Sequence, residues 1–168
     1  MSLVVSDSGP IHYLVLCGAI EIVPKLYGQL VIPAAVAQEL THVRTPPGVR
    51  HWIQTLPYWA TIQSPKQTDP AIHLGLGERE AIALALELKA AQLLIDDRAA
   101  RRIAIQRGLL IAGTVGVMEQ AAASRLLNLS EAIQKLLNTN FRINPDVVRE
   151  VLNRDAARSK AGGSGGQL

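Results

Sequence analysis

The sequence predicts an α/β fold, a three-layer α/β/α domain on a mostly parallel central sheet with extra helices at its C-terminal end. Two observations lead there. Short apolar runs rich in β-branched residues alternate with helix-like stretches, the pattern of strands buried on both faces and joined by helical crossovers. The 168 residues are 48% hydrophobic, chiefly Ala, Leu, Ile and Val, and only 4% aromatic. Such a composition suits aliphatic helices packed on a buried sheet and argues against a stacking platform for single-stranded nucleic acid.

The elements follow in order. Residues 3–6 form an apolar strand that stops at Asp7; Ser8 can cap the next helix, with Pro10 in its first turn, where a missing N–H costs nothing. A second strand, 30–32, ends at Pro33, and 34–42 reads as a helix. Residues 45–48 are a break, and a weaker segment at 51–56 leads to a possible edge strand at 59–62. Gly75 and Gly77 precede the clearest helix, 78 to about 90. It feeds strand 92–95, which ends at Asp96 and Asp97. Helix 98–106 stops at Gly108, and strand 109–112 is closed by Gly113 and Thr114. Amphipathic helices are expected at 117–127, 130–137 and 145–153.

Length and composition bound the rest. Residues 1–155 are expected to make one domain, large enough to bury a core without disulfides. Residues 156–168, rich in Gly and Ser, are expected to be a flexible tail. The single cysteine, Cys17, excludes an internal disulfide and a cysteine-based zinc site, and its apolar surroundings mark it as a core residue. No apolar run reaches the roughly 18–20 residues of a membrane span, and no basic leader precedes residue 3, so a cytoplasmic location is expected. A formal charge of +3 permits nucleic-acid binding without requiring it. His12, His42, His51 and His73 do not form a spaced ligand set.

Three acids stand at strand ends, where open α/β sheets bind their ligands: Asp7, Asp96 and Asp97. Glu39 lies on the helix after the second strand, and Glu78 and Glu80 open the helix at 78. On a wheel of that helix Arg79, Ala83 and Glu87 share a solvent stripe opposite Ala81, Leu84, Ala85 and Leu88, which puts Glu78 inward and Glu80 nearer the solvent. Carboxylates brought together repel unless protonated or neutralised, and hard divalent cations with oxygen ligands are the natural partners. Each acid also has a plainer reading: Asp7 as a helix cap, one of Asp96 and Asp97 as another, and the glutamates as surface or first-turn residues. Arg98, Arg101 and Arg102 follow on one helix, able to hold a phosphate backbone or to form a solvated face.

Together the VVSDS run at 4–8, IPAAVAQEL at 32–40, GEREAIALA at 77–85 and LLIDD at 93–97 resemble the PIN-domain family, and within it the VapC-like toxin ribonucleases. The likeness runs in order over roughly residues 3–120. It implies a metal-dependent endoribonuclease with Mg²⁺ or Mn²⁺ held by Asp7, Glu39, Glu78 and Asp97, with Glu80 and Asp96 as alternates. It further implies substrate contacts from Ser8, an RNA substrate, an antitoxin partner and a homodimer. The sequence departs from the family in having Glu at the third acidic position and a doubled Asp at the fourth. A second reading is a PIN-like module without catalysis that binds RNA or protein. A phosphohydrolase using Asp7 as nucleophile lacks a second Asp two residues on, because position 9 is Gly.

Overall fold

The computed structural model describes residues 2–163. Five parallel strands make the sheet: β1 (Ser2–Ser6), β2 (Gly28–Pro33), β3 (Ala60–Gln63), β4 (Gln92–Leu94) and β5 (Ile111–Ala112), in the spatial order β3-β2-β1-β4-β5. The chain starts in the middle, builds outward through β2 and β3, then returns to the other side of β1 for β4 and β5. The order therefore reverses between β1 and β4, and open α/β sheets bind their ligands beyond the carboxyl ends of the strands at such a point. Val4, Val5, Ile32 and Leu93 on the inner strands are essentially inaccessible to solvent. β3 and β5 are the edge strands, and on β3 Thr61, Ile62 and Gln63 are exposed.

The helices are α1 (Ser8–Leu16), α2 (Ile22–Tyr27), α3 (Ala34–Leu40), α4 (Pro47–Gln54), α5 (Leu76–Glu87), α6 (Arg98–Gln106), α7 (Thr114–Ala123), α8 (Leu129–Leu137) and α9 (Pro145–Gly163). Two compact units result, Met1–Thr114 and Val115–Leu168. The first contains the sheet and α1 to α6; the second contains the rest of α7, α8 and α9. Within the second, Asn128 caps α8 by accepting from Glu131 N at 3.0 Å, and Arg154 of α9 pairs with Glu119 of α7 at 3.2 Å. No helix among the described residues is long and apolar enough to cross a membrane.

Several local expectations are corrected. Asp7, not Ser8, occupies the cap position of α1, and Ser8 is its first helical residue. α4 begins at Pro47, inside the expected break, because a proline needs no hydrogen-bond acceptor at the first helical position. α2 is a further helix, six residues long and too short to show periodicity. α5 starts at Leu76 with Gly75 as its cap, so Gly77 lies within the first turn. α9 continues to Gly163, past the expected tail boundary at 156. Its later turns carry an Arg158–Asp155 pair at 3.5 Å and a Ser159 hydroxyl donating to the Asp155 carbonyl at 3.1 Å. Residues 164–168 of that expected tail lie outside the described residues.

Helix α5 lies against β1, β2 and β4 and also packs on α3. Ala81, Ile82, Leu84 and Ala85 form its buried face. The contact with α3 moves Glu80 off the solvent stripe. The cap position of α3 is Pro33, which offers no side-chain acceptor, and Glu80 Oε2 accepts from Ala35 N at 2.9 Å instead. A carboxylate from a neighbouring helix thus satisfies an N–H that the helix itself leaves unpaired. Replacing Glu80 with Ala is expected to cost about 0.5–2 kcal/mol, the range of a lost helix cap. Urea denaturation should show a lower midpoint at unchanged slope; an unchanged midpoint would show that water replaces the bond at no cost.

Candidate active site

Parallel pairing of β1 with β4 brings the acids together. Ser6 pairs with Leu94, and Asp7 N donates to Leu94 O at 2.9 Å, so Asp7 emerges beside the chain that leads into Asp96 and Asp97. Asp7 is 6% exposed, and its Oδ1 is buried with no hydrogen-bond partner among the described residues. Its carboxyl is pushed up from 3.8 to about 7. Burial is the main cause, and the Ser8 backbone N–H works against it; the charges of Glu78, Glu39 and Asp96 raise it further.

Glu78 is also raised, first by burial, then by the charges of Asp97 and Glu39, with the Gly75 backbone N–H opposing. An acid at the third helical position reaching back to the cap residue's N–H is half of a capping box. Glu39 is exposed, yet its carboxylate rests on the first turn of α5: a methyl group on Gly77 would overlap it. Glycine at that position leaves the space the carboxylate occupies.

The consecutive aspartates diverge. Asp97 caps α6 by accepting from Ala100 N at 2.9 Å. Asp96 accepts from Thr114 at both oxygens, from the backbone N at 2.7 Å and from the hydroxyl at 2.6 Å. Burial raises the Asp96 carboxyl, while the two Thr114 bonds and the Arg101 charge oppose it. A methyl group on Gly9 would lie 3.1 Å from Asp96 Oδ2, so the glycine that excludes a second Asp there also makes room for this carboxylate.

Of the sequence-predicted residues, Asp7, Glu39, Glu78, Asp96 and Asp97 share one electrostatic neighbourhood, whereas Glu80 is engaged with α3. Ser8 opens α1 and is half-buried. Arg98 and Arg102 are exposed; Arg101 is half-buried and donates Nη1 to Ile95 O at 2.9 Å. Arg107 pairs with Asp69 at 2.6 Å. Two residues escaped the sequence reading. Thr114 is one. Tyr13 is the other: its phenol is raised by burial and then by the Asp96 charge, which places it near the site. The signal was available, since Gly9 and Tyr13 are one helical turn apart and share a face of α1.

Among the described residues no three His, Cys, Asp or Glu side chains are gathered closely enough to hold a metal ion as they stand. The donor chemistry nonetheless fits a hard cation, because a buried carboxylate oxygen without a partner lies among further carboxylates. Mg²⁺ in particular keeps several waters and uses only one or two carboxylates.

An all-parallel five-stranded sheet with acids beyond its switch point defines an α/β protein with a candidate cation site. Residues 3–156 match the family DUF3368, a PIN domain, and the chain belongs to that family. PIN domains are generally nucleases and typically use divalent metals. Among solved structures the chain is similar to a PilT N-terminus domain protein from the hyperthermophilic archaeon Sulfolobus solfataricus P2. That likeness has 17% identity and a TM-score of 0.49, covering 84% of this chain and 99% of that one. No curated protein matches the chain.

The raised Asp7 carboxyl makes stability depend on pH. The folded protein keeps this proton up to about pH 7, whereas an unfolded Asp releases it near 3.8. Stability contributed by the protonated form is therefore present below about pH 4 and lost as pH rises towards 7. In a metal-free buffer with chelator, Asp7→Asn should raise Tm more at pH 7.5 than at pH 5. Equal changes at the two pH values would show that Asp7 titrates normally.

Proposed function

We propose that the chain is a metal-dependent endoribonuclease that hydrolyses RNA phosphodiester bonds with Mg²⁺ or Mn²⁺, the toxin of a toxin–antitoxin pair. The observation that carries this reading is the unpaired buried oxygen of Asp7 at the switch point, surrounded by Glu39, Glu78 and Asp96. Unsatisfied buried acceptors are costly, and mutually repelling ones more so, which is the environment a cation relieves. Asp7, Glu39 and Glu78 would hold the ion, with Asp96 or Asp97 completing the set. A bound dication supplies positive charge against the phosphate and activates water for the attack.

The protein's own groups do the rest. Burial of Asp7 keeps water from screening the cation, which strengthens the interaction. Arg98 and Arg102, exposed on α6 just after Asp97, offset the repulsion between an RNA backbone and the acids. Arg101 is held by Ile95 O and contributes as a fixed charge, and Ser8, at the start of α1 beside Asp7, lines the substrate's approach.

We further propose that both compact units act as one domain, in a cytoplasmic homodimer that an antitoxin holds inactive. The matched region spans both units, which supports the first point. Of the apolar residues of α1 and α7, Ile11, Leu14, Val117 and Met118 are buried, while Leu16 is exposed and available to a dimer face. A second reading, an RNA- or protein-binding module without catalysis, draws support from the absence of a gathered metal cluster among the described residues.

Purified protein with Mn²⁺ should cleave RNA, and Asp7→Asn should abolish cleavage and weaken Mn²⁺ binding at least about tenfold. Glu78→Gln should also abolish it, whereas Glu80→Gln should retain cleavage, because Glu80 serves α3. A wild-type protein that binds RNA but cleaves none at any Mn²⁺ concentration would favour the second reading. Arg98→Ala with Arg102→Ala should weaken RNA binding and flatten its salt dependence by roughly one unit of slope per lost phosphate contact. An unchanged slope would assign the two arginines to a solvated helix face.

A further inference from the structure

Asp96 and Asp97 are adjacent, yet they have different work. Asp97 accepts one backbone bond, from Ala100 N, and thereby closes the first turn of α6. Asp96 turns the other way, and both of its oxygens are taken by a single residue. Thr114 N donates to Oδ1 at 2.7 Å and the Thr114 hydroxyl donates to Oδ2 at 2.6 Å. One bond would leave a carboxylate free to rotate; a pair from a rigid backbone and its own side chain fixes its plane. Thr114 is completely buried, so no water competes for its hydroxyl.

The slot around this carboxylate is as closely defined as its bonds. A methyl group on Gly9 would come within 3.1 Å of Asp96 Oδ2. One on Gly113 would come within 2.8 Å of Asp96 Oδ1 and equally of Arg101 Nη1, which is itself bonded to Ile95 O at 2.9 Å. Two glycines, a threonine and a tethered arginine thus enclose Asp96 beside Asp7. Thr114 is the first residue of α7, so the N–H bond alone would account for a carboxylate at a helix start. The hydroxyl bond goes beyond that need.

We infer that Thr114 is a positioning residue, whose hydroxyl fixes the rotation of the Asp96 carboxylate next to Asp7 and makes Asp96 the oriented acid of the aspartate pair. The inference rests on the metal-dependent reading above and adds to it how the site is held. Each oxygen of Asp96 accepts one of the two bonds and so keeps a second lone pair. Asp97 is then chiefly the cap of α6.

Calorimetric titration of the whole chain with Mn²⁺, without RNA, tests this. Thr114→Val keeps the shape and the N–H but loses the hydroxyl, and it should weaken Mn²⁺ affinity about tenfold, as removal of an orienting partner does. Thr114→Ser keeps the hydroxyl and should stay within about twofold of the wild type. Asp96→Asn should lose more affinity than Asp97→Asn. A folded Thr114→Val protein with wild-type affinity, or a Thr114→Ser protein as weak as the Val variant, overturns the inference. If Thr114→Val does not fold by circular dichroism, the aspartate comparison decides: a larger loss from Asp97→Asn overturns it. Absence of Mn²⁺ uptake by the wild type removes the metal reading and this inference together, whereas wild-type uptake that Thr114→Val leaves unchanged overturns this inference alone.

Discussion

The pairing of β1 with β4 is the constraint on which the candidate site depends. These strands are far apart in sequence, and the bond from Asp7 N to Leu94 O is the last rung that joins them before both chains leave the sheet. Parallel strands present their carboxyl ends on the same side, so acids that follow them emerge at the same end of the sheet. A shift of one residue in register would turn Val4 and Val5 to the opposite faces and carry Asp7 away from Asp96. Both valines are buried, one on each face, so the register rests on its backbone rungs, among them Asp7 N to Leu94 O at 2.9 Å.

Bringing carboxylates together has an electrostatic cost, and helix starts offset part of it. Asp7 stands at the cap of α1, Asp97 at the cap of α6, Asp96 at the first N–H of α7, and Glu78 in the first turn of α5. Glu39 lies over that same first turn, while Glu80 serves the start of α3. Helix N-termini carry partial positive charge and unpaired N–H groups, so they are the places in an α/β fold where negative charge is best tolerated. That compensation is incomplete: burial displaces Asp7, Glu78 and Asp96 towards their protonated forms, and neighbouring carboxylates add to it at Asp7 and Glu78.

Much of this was legible in the sequence, for identifiable reasons. A β-branched run that stops at an acid marks a strand end within local sequence, which is how Asp7, Asp96 and Asp97 were found. The bounds of α6 matched because Asp97 and Gly108 are local signals at its two ends. What could not be read were the tertiary partners. The wheel of α5 assumes one buried side, but α3 covers a second, and it takes Glu80 with it. Gly77 looked like a helix boundary; its function is to leave space for Glu39, a residue on another helix. Thr114 looked like the end of a strand, and nothing nearby in sequence indicates that it would grip Asp96. The short α2 has no period to detect, and the helical continuation through residue 163 runs against the low helix propensity of its glycines.

Gly9, Gly77 and Gly113 have a further consequence. Each stands where a single carbon would press on a carboxylate, and none of them carries a functional group. The site is consequently shaped as much by missing atoms as by present ones. A related chain could retain every acid and still have lost the pocket through one alanine, with no trace in an inventory of charged residues. Judging which relatives keep a working centre therefore means reading the glycines together with the acids.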